Sequence, residues 1–366
     1  MTPESWFLAR GLPAVLTTRG RSRHLLSRVA PPLAAYATVI LALLAVYFLL
    51  GKSEILIDGT PTPAEQVVLA VLVLALPVAA LVAWLVVRLG DRRKQAAVSI
   101  ASLVIAEAAG VIQGGAGHLV ATPVVVLVIV VLTISGGGAV LAWAVRLTMS
   151  QAAAMGGLFV RALPVMLLTV VVFFNTYVWQ MAASISRARL WLALAFLFLV
   201  TSAFLVSASR TRVKSMLASI GEPHPAAHDL DDTPFANLPD PTVDSPLTRG
   251  ERFNVVAVLA AAQIAHLMMV AISTAAIYFA LGLIVLSPAV LAKWTSGGSS
   301  DGTVLWMTIP VPQALIHMTL VLISLTFMYV SARSTADDDY KRDFLTPLIE
   351  DLHTTLLARN RYRANA

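Results

Sequence analysis

Residues 66–87 read QVVLAVLVLALPVAALVAWLVV, a stretch without a single charge. At 1.5 Å per residue, about 20 such residues carry a helix across the ~30 Å hydrocarbon core of a bilayer. Lipid offers no hydrogen bonds, so a chain threading it must satisfy its own backbone, and a helix does so. Comparable runs lie at 33–50, 119–145, 163–183, 190–208, 255–286 and 310–331. A weaker one, 96–113, AAVSIASLVIAEAAGVIQ, contains Glu107 and many small residues. Counting it gives eight spans. The fold class expected is therefore all-α, a polytopic helical bundle in a membrane.

Composition agrees. The chain is 58% hydrophobic and 13% charged, against about 45–50% and about 25% in soluble domains. Too few charges remain to cover a soluble surface. The net charge of +6 reads as loop asymmetry, because Lys and Arg are retained on the cytoplasmic side. No nucleic-acid motif accompanies it, and no nucleic-acid partner is expected. The chain has no cysteine, which excludes disulfides, thiolate metal sites and thiol nucleophiles. No cofactor or metal is expected.

Of the 26 Lys and Arg, all but Lys52, Arg187, Arg189 and Lys293 fall in 1–30, 88–94, 146–161, 209–252 and 332–366. Eight spans with both termini cytoplasmic put these segments on one side. Were 96–113 interfacial, seven spans would carry Arg210, Arg212 and Lys214 to the wrong face. The first span is preceded by a basic stretch and followed by no small-x-small cleavage site, so it reads as retained.

Five segments are expected. Residues 1–30 combine Trp6, Phe7 and Leu8 with Arg10, Arg19, Arg21, Arg23 and Arg28, as a short basic helix near anionic headgroups does. Residues 31–215 form a bundle of about six spans. Residues 216–252 are a Pro- and Asp-rich linker, read as a solvated and flexible loop; His224, His228, Asp229, Asp231 and Asp232 are too broken by proline to hold a metal. Residues 253–331 form a two-helix membrane unit. Residues 332–366 carry Phe344, Leu345, Leu348, Ile349, Leu352 and Leu356 at three- and four-residue steps, the pattern of one apolar helix face. Ser334 and Thr335 before Asp337 and Asp338 look like its start, with Pro347 marking an alternative first turn. That helix can dock on the chain itself, on the bilayer or on a cytoplasmic partner.

Ionisable groups in hydrocarbon cost several kcal/mol, so each needs a reason. Gln263 and His266 share a helix face, as do Gln313 and His317. If the two helices are antiparallel neighbours entering near Val256 and Val311, the imidazoles lie within one turn in depth. Such a pair can pack through a water, relay a proton, or ligate a metal or haem, and interhelical bonding is the ordinary use. Glu107, among Ala, Val and Ile, is the second candidate; burial would raise its pKa. Glu107, Gln263, His266, Gln313 and His317 thus form a candidate buried polar path. Asn175, Tyr177, Trp179 and Gln180, with Trp294 and Trp306, read as an interfacial belt. Gly136, Gly137 and Gly138 read as a packing seam or kink. Glu54 and Asp58 are weak pointers to lipid-linked sugar chemistry.

The segments WFLARGLPAVLT, FFNTYVWQ, PLTRGERFNVVAVLAAAQ and DDDYKRDFLTPLIEDL resemble a family of multi-pass membrane proteins from actinobacteria with no assigned activity. The resemblance implies a bacterial plasma membrane and transfers no site residue. Two functions stay open: a small-solute or ion permease using the polar path, and a non-catalytic scaffold or accessory subunit holding a cytoplasmic partner through its termini. A homo-oligomer is compatible with either, and an enzyme is less favoured than both.

Overall fold

The structure is a computed structural model and describes residues 3–16, 25–50, 55–56, 63–114, 118–151, 169–218, 230, 233–236, 238–239, 246–296, 302–304, 307–309 and 311–364. The described chain is overwhelmingly helical. Among the described residues, six helices are long and apolar enough to cross a membrane, or seven if one broken pair counts as a span. It is a multi-pass membrane protein on that length and composition. The chain divides into two compact units, one of 18–138 with 301–310, the other of 1–17, 139–300 and 311–366.

In the smaller unit, α2 (Leu25–Leu50) packs against α3 (Pro63–Arg88) and α4 (Arg92–Gly114), and α4 against α5 (His118–Ser135). Their wide apolar surfaces face outward, as lipid-facing helices require: Val73, Leu76 and Val104 are exposed. Pro77 and Pro123 sit inside helices; neighbouring groups in a bundle satisfy the carbonyls they free. Strands β1 (Ile55–Leu56), β2 (Gly302–Val304) and β3 (Met307–Ile309) form a small sheet, β3 lying parallel to β1 and antiparallel to β2.

The expected span 119–145 is two helices. Gly136, at φ +81°, separates α5 from α6 (Gly137–Gln151). A left-handed backbone is open to glycine at no steric cost, which makes the three-glycine run a break. The expected span 163–183 lies partly outside the described residues. Its described part is also broken: 169–173 is helical, and Asn175 then caps α7 (Thr176–Ser184) by accepting a bond from the Tyr177 amide, 2.9 Å.

In the larger unit, α9 (Arg249–Val285) packs against α8 (Arg187–Ala218) and α11 (Gln313–Ser334), which also touch each other. Antiparallel packing of α9 and α11 sets two cores. Leu267 and Ala271 meet Phe327 at one end; Ala275 and Tyr278 meet Met318 and Leu322 at the other. A Cβ on Gly282 would stand 2.5 Å from Leu315 Cδ1, so the helices approach closely there. The second core includes α10 (Pro288–Thr295) and Trp179, which is fully buried against Phe173 and Trp294. Trp179 is thus a core residue and not part of a belt, whereas Tyr177 is 81% exposed. Trp306 lies outside the described residues.

At 37 residues, α9 is about 55 Å long, well beyond a ~30 Å core. Its first turns are the foundation of a cap. Thr248 and Glu251 make a capping box: the Thr248 hydroxyl accepts from the Glu251 amide, and the Glu251 carboxylate accepts from the Thr248 amide at 2.8 Å. Against this start lie α1 (Pro3–Ala9), the turn at Pro13–Val15 and α12 (Thr346–Ala364). Asn254 donates to the Gly11 carbonyl, 3.0 Å. Trp6 and Phe7 are buried on Phe235 and Tyr362, so the N-terminal aromatics serve the protein core and not the lipid.

Two expectations about organisation change. The units part near residue 138, not at the linker, because α8 packs on both α9 and α11. The linker's Leu230 and Phe235 are fully buried in the cap, so its described residues are part of the fold. His224, His228, Asp229, Asp231 and Asp232 lie outside the described residues. So do Glu54, Asp58, Arg19, Arg21 and Arg23.

Candidate functional site at one end of the larger unit

The tail is fixed before it reaches the site. Asp337 caps its first turn, accepting from the Tyr340 amide at 3.0 Å; Ser334 and Thr335 are not the start. A π-helical turn, Lys341–Leu345, follows. Such wide turns alter the direction of side chains within a helix. Pro347 follows directly after this wide turn, in the second position of α12, and has no N–H to donate back to it. Phe344, Leu345, Leu348, Leu352 and Leu356 are all buried, Ile349 partly, in the chain's own core.

A buried ion cluster holds the far end of α12. Arg359 grips Glu251 with both arms, Nε to Oε1 and Nη2 to Oε2, each 2.9 Å. Arg363 reaches Oε1 at 3.0 Å. Both Arg359 and Glu251 are 1% exposed. Arg359 spends its other donors on Asn360 Oδ1, 2.7 Å, and the Pro246 carbonyl, 3.3 Å. The carboxylate's second oxygen also accepts from the Thr248 hydroxyl at 2.9 Å. Fork-on-carboxylate geometry of this kind is the strong form of the bond. Nearer the surface, Arg10 pairs with Asp351 and lies over the Trp6 ring.

Beneath this clamp is the site. His266 is 2% exposed, and neither ring nitrogen has a hydrogen-bond partner. Its ring lies 4.3 Å from Phe344 and 6.0 Å from Tyr340, which stack on each other. The Tyr340 hydroxyl is likewise buried and unpartnered, and burial raises its pKa, so it stays a donor. Gln263, one turn away on α9, donates to Ser209 Oγ at 2.9 Å and accepts from Arg212 Nη1 at 3.3 Å. The buried hydroxyls of Ser202, Thr326 and Ser331 also lack partners. The Gly282–Leu315 and Gln263–Ser209 contacts fix the register of α9 against α11 and α8. Run along the helices, they put Ser331 level with His266, and Ser202 and Thr326 about one turn deeper.

The candidate path does not form one cluster. His317 is satisfied elsewhere: its Nδ1 meets the Ala182 carbonyl at 2.8 Å and its Nε2 meets Gln313 Nε2 at 2.6 Å. A neutral ring donating from Nδ1 and accepting at Nε2 completes both bonds. By the same register His317 is level with residue 280 or so of α9, about 21 Å from His266. The two imidazoles are therefore not at one depth. The expectation assumed that the helices enter near Val256 and Val311, whereas α9 runs for 37 residues and meets α11 through Gly282 and Leu315. Glu107 belongs to the smaller unit, half-buried in an open groove walled by Leu103, Val104, Pro123, Val126 and Leu127. Gln263 and His266 stand about one turn apart on α9. Sequence reasoning missed Arg212, Tyr340 and the Glu251–Arg359 clamp. One signal was available: T-R-G-E at 248–251, before an apolar run, is a capping box.

Fold and site together define a multi-pass helical membrane protein with a buried, incompletely satisfied polar site at one end of a three-helix seam. No protein-family model, no curated protein and no solved structure matches the chain.

Proposed function

We propose that the chain is a small-solute or ion permease of a bacterial plasma membrane, crossing it eight times with both termini cytoplasmic. The observation that carries this is His266, buried with both nitrogens unpartnered. A buried polar group without a partner costs about 1–3 kcal/mol, and in membrane helices such groups mark solute and ion routes. The seam of α8, α9 and α11 supports the reading, with polar groups at successive levels: Gln263 and Ser209, His266 and Ser331, Ser202 and Thr326, then Tyr278 bonded to Thr169 (2.9 Å) and His317 with Gln313.

Contact between α1 and the tail argues for an even number of crossings between them. The six unbroken helices, the broken pair α5–α6 and the apolar run 163–183 expected from the sequence make eight. A scaffold reading needs a tail free to hold a partner. Here its apolar face is already covered by the chain's own core, which is why the permease is preferred.

Flux in liposomes tests it. Protein carrying His266→Ala is expected to lose at least tenfold in solute or proton flux, while Glu107→Gln retains it. Flux unchanged by His266→Ala overturns the reading.

A further inference from the structure

We propose that the His266 site binds a small monovalent anion, of the size of a halide or nitrate, held between Arg212, His266 and Tyr340. The inference rests on taking this site as the working site of the permease, and names its ligand class.

The groups facing the site are donors. Arg212 is half-buried, lies within electrostatic reach of the Tyr340 hydroxyl, and forms no ion pair among the described residues; its one bond is to the Gln263 amide oxygen. A guanidinium withdrawn from water without a carboxylate is missing its counter-charge. Tyr340 offers an O–H, His266 one ring N–H, and Ser331 a hydroxyl at the same level, all buried and uncommitted. The described carboxylates nearby are engaged elsewhere. Asp337 caps the turn at Tyr340, Asp338 pairs with Lys341 at 2.7 Å in the open, and Asp343 pairs with Arg342 on the exposed side. Glu251, on α9 itself, is occupied by Arg359 and Arg363. Among the described side chains a cation would therefore meet one positive charge and no free acid, whereas an anion meets a positive charge and several donors. The Tyr340–Phe344 stack lies against the His266 ring, 4.3 Å away at Phe344, and a ligand of small size suits so closely packed a place.

The test is equilibrium binding by full-length protein in nonionic detergent. Thermal unfolding is followed while sodium gluconate is replaced by chloride, bromide or nitrate at constant ionic strength. The midpoint is expected to rise saturably with the small anions. Arg212→Gln should weaken half-saturation at least tenfold and Tyr340→Phe several-fold, with Arg212→Lys, which keeps the charge, near wild type. Should Arg212→Gln fail to fold, Tyr340→Phe and Arg212→Lys still carry the comparison. Midpoints equal in all four salts, or saturation unmoved by Tyr340→Phe and Arg212→Gln, overturn the proposal. Saturable binding without anion flux in liposomes upholds the site and removes the permease reading.

Discussion

Glu251 shows how much one residue can organise. Its carboxylate starts α9 and accepts both arms of Arg359 out of water, and it meets the partly exposed Arg363. Breaking a buried pair by removing one partner costs about 3–5 kcal/mol, since the other charge is left stranded. Glu251→Gln is therefore expected to release α12, seen as rapid proteolysis within 341–364 and a lower melting midpoint. Asp351 is the contrast. Burial pushes its carboxyl up and Arg10 opposes this. An acid whose folded pKa is raised adds stability at low pH that fades as pH rises through the folded value. With side chains 31% and 39% exposed, the pair is worth at most about 1 kcal/mol. Asp351→Asn should leave the midpoint almost unchanged at neutral pH. Equal losses for the two variants would contradict the ranking. At this scale the sequence could be read where one helix held both members: Gln263 and His266 fall together because three residues nearly complete a turn. Arg212 and Tyr340 come from other elements, and no spacing predicts their meeting.

Among the elements, α9 sets the rest. Its capping box fixes where it begins, its excess length carries the cap, and Gly282 lets α11 approach. Gly282→Leu would drive a side chain into Leu315, itself fully buried; overpacking of this kind costs about 1–3 kcal/mol. The expected result is a lower melting midpoint with the fold retained, partly restored by Leu315→Ala. A Gly282→Leu protein as stable as wild type would show the helices are not in contact there. Long uncharged runs made most spanning helices legible. The breaks at Gly136 and Asn175 were less so, because hydropathy is indifferent to where the backbone turns. The tail's apolar face was legible too, but not its target, since periodicity records that a face is buried and not what buries it.

For the whole molecule, the central claim is that the two ends of the chain fold as one cap on the same side of the membrane, over His266. The absence of cysteine gives a direct test on a clean background. Single variants Ala9→Cys and Glu350→Cys, in sealed vesicles of both orientations, are treated with a membrane-impermeant maleimide. The account predicts that both react in inside-out vesicles and neither in right-side-out ones. Labelling of the two positions from opposite sides would contradict it.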